Sequence, residues 1–215
     1  ESPGVIATWG AERAIPLIHY STDYVFPGSG TQAWSEVDDV APLNQYGASK
    51  LAGERAIADV GAQAIVMRTS WVYDAIGKNF VTTMLRLGRD RTTLSIVADQ
   101  HGAPTYAPHL ARATVDALHL AEQTSSFIPG IYHVCNAGET TWYDFASDIF
   151  ANARERGIAL TVDRLDPIAT KDYPTPAARP LNSRLNTQKA SDVLNITLPN
   201  WRDGLIECMN NYEGQ

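Results

Sequence analysis

The stretch IPLIHYSTDYV (residues 15–25), followed by NQYGASKLAGERAIADV (residues 44–60), decides how this chain is read. The first is an apolar, β-rich run that ends in polar residues and then in Pro27-Gly28-Ser29-Gly30, the composition of a strand running into a loop. In the second, Tyr46, Lys50 and Glu54 fall at four-residue steps with Leu51 and Ile57 on another face, so a helix is predicted from about Asn44. Working outward, Val5, Ile6 and Trp9 mark a helix-like stretch before the strand. AIVMRTSWVY (64–73) reads as a buried strand, Asn79 to Gly88 as a helix ended by its glycine, and Leu94 to Ala98 as a further strand. Pro108 to Gln123 reads as a helix, Gly130 to Cys135 as a strand, and Thr141 to Arg156 as a long amphipathic helix with Thr140 or Thr141 as its N-cap. Such alternation with short connections predicts an α/β chain of parallel βαβ units, helices covering a sheet. From Asp166 to Asn186 the chain turns proline-rich and loses its period, as an ordered loop over a ligand site or as a plain connector. Two short helices, Thr187 to Leu194 and Trp201 to Asn211, close it.

The 215 residues are 44% hydrophobic and 19% charged, enough apolar material for a real core. With Lys+Arg 17 against Asp+Glu 24, the net charge of −7 removes the electrostatic reason to expect a nucleic acid or an anionic membrane as partner, and an anionic ligand needs local cations. No window approaches the roughly 18 to 20 apolar residues of a membrane span, and Glu1-Ser2-Pro3-Gly4 is not a signal-peptide start, so a cytoplasmic protein is expected. Cys135 and Cys208 lie far apart in apolar runs and read as two buried thiols. His19 sits mid-strand as a core histidine, and His101, His109, His119 and His133 have no metal-like spacing, so no metal site is expected.

Tyr46-Gly47-Ala48-Ser49-Lys50 puts a phenol and an ammonium on one helical face, one turn apart. The cation favours phenolate and lowers a pKa that starts near ~10, which suits acid/base work at neutral pH. Thr22, at the carboxyl end of the preceding strand, is placed to aim its hydroxyl at the same site, because open α/β sheets bind ligands outside those ends. The three residues suit holding and protonating a carbonyl oxygen while hydride arrives at carbon. Taken alone, Tyr-x-x-x-Lys recurs by chance on exposed helix faces.

The run STDYVFPGSGTQAWSEVDDVAPLNQYGASKLAGERAI (21–57) resembles the extended short-chain dehydrogenase/reductase superfamily, and within it most closely the dTDP-4-dehydrorhamnose reductase branch. The resemblance continues through RTSWVY (68–73), NFVTTML (79–85), VADQHGAPTYA (97–107) and RPLNSRL (179–185), and so covers nearly the whole chain. It implies a Rossmann-like parallel sheet with helices on both faces and a smaller C-terminal substrate-binding portion. Residues 1–135 would hold the remainder of the cofactor domain and residues 136–215 mainly the substrate side. It implies NADPH- or NADH-dependent reduction of the C4 ketone of dTDP-4-dehydro-6-deoxy-L-mannose to dTDP-L-rhamnose. Tyr46 matches the family's catalytic acid, Lys50 the cation that also bonds the nicotinamide ribose, and Thr22 the assisting hydroxyl. Thr22 and Asp23 match positions that contact the sugar nucleotide, and Trp71 an aromatic that packs on the deoxysugar, although a strand Trp is more often core.

Asp99, Gln100, Gly102 and Thr105 are read as lining the nucleotide-sugar cleft, with Gln100 and Thr105 as substrate contacts, the alternative being a turn ahead of the next helix. Arg179 either pairs with the diphosphate or is a solvated loop arginine. Other readings are an epimerase or dehydratase of the same superfamily, or a non-catalytic regulatory subunit. The family's fold opens with a strand, a Gly-rich turn and a helix that receives the pyrophosphate, and no such motif stands before Thr22. The expectation is therefore a C-terminal part, with two or three βα units missing, roughly 80 residues at ~30 per unit. Its exposed sheet edge would favour a homodimer.

Overall fold

A computed structural model describes residues 1–213. In chain order the elements are α1 (Ser2–Ala11), β1 (Leu17–Thr22), α2 (Gln45–Val60), β2 (Ala64–Thr69), β3 (Val72–Tyr73), α3 (Phe80–Asp90), β4 (Thr93–Val97), β5 (His101–Gly102) and β6 (Thr105–Tyr106). There follow α4 (Ala107–Thr124), β7 (Gly130–His133), β8 (Thr140–Thr141), α5 (Trp142–Glu155), β9 (Arg164–Ile168), α6 (Gln188–Leu194) and α7 (Trp201–Asn210).

The central sheet is β1-β2-β7, parallel throughout, with Thr22 opposite Thr69 at its carboxyl end. Every residue of β2 is buried, as a middle strand covered on both faces must be, whereas β1 is an edge among the described residues. The α/β architecture matches the expectation, but the run read as one strand over 64–73 breaks at Ser70-Trp71 into β2 and β3, the latter paired with β6, and a second part of the topology also differs. β4 is outside the central sheet and pairs in parallel with β9, a strand that begins at Arg164 and runs to Ile168, into the region read as irregular. Pro167 explains why that strand is hard to see: it has no N–H to give, and so suits a two-stranded edge pairing.

The helices follow the sequence with one correction. α2 begins where Asn44 caps it, its side chain accepting from Gly47 N at 2.9 Å, and ends on Gly61 in the left-handed region at φ 67. α5 is capped by Thr141, whose hydroxyl accepts from Asp144 N. Gly88 does not end α3, which runs on to Asp90; a Cβ there would strike the Phe150 ring, so this glycine serves the packing of α3 on α5. The largest apolar cluster joins Tyr73, Leu85 and Tyr106 to Phe145, Phe150, Trp201 and Leu205, binding the middle of the chain to its last helices. A second cluster fixes α4 and α6 against β2 and β7 through Ile65, Met67, Leu110, Tyr132 and Leu194. Both cysteines are buried and free, and burial pushes each thiol up to about 12. No helix among the described residues is long and apolar enough to cross a membrane.

Candidate functional site

At the carboxyl end of β1 the chain turns at Thr22 into a 3-10 turn over Asp23–Val25. The Thr22 hydroxyl accepts from Tyr24 N at 3.2 Å and donates to Asp23 Oδ1 at 3.0 Å. Asp23 is fully buried, and that burial, opposed by the Ser183 and Thr22 hydroxyls, pushes its carboxyl up to about 6. Beside it, burial and the Asp23 charge push the Tyr24 phenol up to about 12.

The first turn of α2 lies on this turn because position 47 is glycine: a Cβ there would fall on the Tyr24 carbonyl oxygen. The close approach brings Tyr46, 54% exposed, edge-on to Tyr24 with ring centroids 5.7 Å apart. One turn further on, the Lys50 ammonium donates to the Tyr20 carbonyl of β1, and burial, opposed by the Glu54 charge, holds it below the ordinary lysine range. Beneath Lys50 the Glu54 carboxylate is locked to Arg68 of β2.

These elements bound a cleft of about 620 Å³ lined by Thr22, Asp23, Tyr24, Asn44, Tyr46, Trp71, Trp142, Ala177 and Arg179, among others. Five of the residues singled out from the sequence, Thr22, Asp23, Tyr46, Trp71 and Arg179, therefore meet at one cavity, with Lys50 one helical turn behind Tyr46. Arg179 is an exposed cation at its wall, on a segment tied to the start of α2 where Asn44 Nδ2 donates to Ala178 O at 2.8 Å. Trp71 is half-buried in the left-handed region at φ 49, its ring stacked on Trp142.

Two of the expected residues are elsewhere. Gln100 is buried and does not line the cleft; its side-chain amide is spent on Trp142 and Thr170 because the Asp99–Gly102 turn packs behind the wall. Thr105 is wholly buried on β6, whose backbone pairs with β3, so its side chain points into the packing instead. Asp99 accepts from the backbone and hydroxyl of Thr170, and Gly102 lies against the Trp71 ring. Conversely, the sequence reading passed over Tyr24, Asn44 and Trp142. Asn44 carried a signal as the cap two residues ahead of Tyr46, and Tyr24 as the neighbour of Asp23. Trp142 had none, since only the tertiary fold sets it against Trp71. Among the described residues no three His, Cys, Asp or Glu side chains gather as metal ligands.

The family model described as the RmlD substrate binding domain matches residues 1–213. The dTDP-4-dehydrorhamnose reductase of Escherichia coli K12 is 48% identical over 194 residues, covering 90% of this chain and 64% of that protein. The chain thus spans a little under two thirds of that relative's length. The enzyme of the same name from Burkholderia thailandensis is 43% identical over 220 residues, 100% of this chain and 74% of its own. Among solved structures, a dTDP-4-dehydrorhamnose reductase from Bacillus anthracis in complex with NADP superposes with a TM-score of 0.84 at 34% identity, covering 97% of this chain and 70% of its own.

Proposed function

From the premise that this chain belongs to the RmlD substrate binding domain family, we propose that it is the catalytic and substrate-binding part of an NAD(P)H-dependent reductase. The reaction is reduction of the C4 ketone of dTDP-4-dehydro-6-deoxy-L-mannose to dTDP-L-rhamnose. The observation that carries the proposal is the convergence of Thr22, Tyr46, Trp71 and Arg179 on one cleft.

In this reading Tyr46, exposed to the cleft, donates the proton to the ketone oxygen as C4 is reduced. Lys50 spends one of its three donors on the Tyr20 carbonyl, so the remaining donors fit the hydroxyls of a nicotinamide ribose. Bound nicotinamide supplies the hydride. Thr22 exchanges its bond to Asp23 for one to the ketone oxygen, and Asp23 holds a sugar hydroxyl. Trp71 offers an apolar face to the deoxysugar, and Arg179 a bidentate fork to the diphosphate, the local cation a net-acidic protein needs for such a ligand.

The division at residue 135 belongs to the same reading, with Tyr46 and Lys50 on the cofactor side and residues 136–215 mainly on the substrate side. So do a cytoplasmic location and a homodimer; size-exclusion chromatography showing only monomer removes the dimer.

The test is NADPH oxidation by the intact protein carrying this chain, with dTDP-4-dehydrorhamnose as substrate. Turnover that falls by about 10² to 10⁴ in Tyr46→Phe, with dTDP-L-rhamnose binding retained, supports the proposal. No turnover by the native protein, or unchanged turnover in the variant, overturns it.

A further inference from the structure

The wall of the cleft that carries Trp71 is held from behind. A bulky residue with positive φ is strained and persists only where its surroundings determine it. Here the Trp71 indole lies flat on Trp142, centroids 3.7 Å apart and planes 14° from parallel, while a Cβ on Gly102 would come within 3.0 Å of the same ring. Trp142 is in turn packed on Phe80, at 4.6 Å, and its indole N–H donates to Gln100 Oε1 at 3.1 Å. The other end of that buried amide donates to Thr170 Oγ1 at 3.1 Å, and the Thr170 hydroxyl donates to Asp99 Oδ1 at 2.6 Å. Thr170 opens the short 3-10 turn that leads into the segment carrying Ala177 and Arg179, which returns to the same cleft.

A continuous chain of contacts therefore runs from the root of the 170–179 segment to the aromatic wall, and returns to the cleft through Arg179. We propose that Trp142 and Gln100 are positioning residues that set the orientation of the Trp71 indole and couple it to the seating of the 170–179 segment, so that the two sides of the nucleotide-sugar site are fixed together. The proposal rests on the cleft being that site, and it gives a purpose to the buried amide of Gln100, which has no access to the ligand itself.

Two stacked indoles make an exciton couplet in circular dichroism, which reports the stack without any assay of activity. In the intact protein the couplet should be present, be lost in Trp142→Phe, and weaken in both Gln100→Leu and Thr170→Val, variants that leave both rings in place. Gln100→Leu should raise KM for the dTDP-sugar about tenfold while KM for NADPH stays within about twofold, and Trp142→Phe should retain more sugar affinity than Trp142→Ala. If Trp142→Ala fails to fold, Gln100→Leu and Thr170→Val carry the test. An unchanged couplet with unchanged sugar KM in both of those variants overturns the coupling. If the protein turns over no dTDP-sugar at all, the proposed function fails, and the response of the couplet to Thr170→Val still decides whether the chain of contacts exists.

Discussion

The Arg68 guanidinium grips the Glu54 carboxylate through hydrogen bonds of 3.0 and 2.7 Å, and both side chains are only 3% exposed. Ser21, next to Thr22, donates to the same carboxylate, so one buried pair ties α2 to β1 and β2 at once. An ion pair this deep contributes little net stability relative to apolar residues of equal shape, because both charges have lost their water. Removing one partner strands the other. Glu54→Ala should therefore cost about 3 to 5 kcal/mol by chemical denaturation, whereas the double change Glu54→Leu with Arg68→Met should recover most of it. A single variant within 1 kcal/mol of native, about the size of an ordinary surface change, would show that water reaches the pair.

Gly47 tests the close approach of α2 to the Thr22 turn. Any Cβ there meets the Tyr24 carbonyl oxygen, backbone that cannot rotate away. Gly47→Ala should push the first turn of α2 outward, displace Tyr46, and lower kcat/KM on the order of 10²-fold, together with a lower Tm. Gly61→Ala, where φ is 67 but nothing lies within 4 Å, should cost only backbone strain of about 1 kcal/mol and leave activity intact. Equal effects of the two substitutions would deny that the packing at position 47 matters.

The contrast between those glycines also shows what the sequence could disclose. The helix α2, its Asn44 cap and the Tyr46–Lys50 pair were readable because helical period and capping are local properties, and Thr22 because strand ends have a fixed relation to ligand sites. Gly88 was misread as a stop because its role depends on Phe150, which arrives from a distant helix. The β4–β9 pairing was hidden for the same reason: strand partnership is decided by tertiary packing, and Pro167 obscures the strand locally. Gln100 was expected at the cleft from its place in a family-like motif. Its amide instead satisfies Trp142 and Thr170, a demand that only the folded chain creates.

Asp23 gives a pH signature. Its carboxyl is raised from 3.8 to about 6 by burial, so between those values the folded state holds a proton that the unfolded state has released. Stability contributed by this group is full below about pH 4 and is lost as pH rises toward 6. The Tm of the native protein minus that of Asp23→Asn should therefore fall across this window and level off above it. Taking the difference removes carboxylates of opposite sign such as Glu139, whose pKa the Arg184 hydrogen bond lowers. A flat difference would mean that Asp23 is ionised throughout and better hydrated than its full burial suggests.

Arg179 separates anion binding from chemistry. It stands exposed at the cleft, on a segment fastened at Ala178 to the cap of α2, and in the proposed reaction it holds the diphosphate while Tyr46 moves the proton. Arg179→Ala should raise KM for the dTDP-sugar about tenfold with kcat nearly unchanged, the pattern of an interaction made equally in ground and transition states. Arg179→Lys should restore only part of the loss, since an ammonium supplies charge without the planar fork. The native KM should also rise with ionic strength and that of Arg179→Ala much less, because the screened attraction is already gone. An alanine variant with native KM and native salt dependence would return Arg179 to the role of a solvated loop residue and leave the diphosphate to the backbone around Asn44.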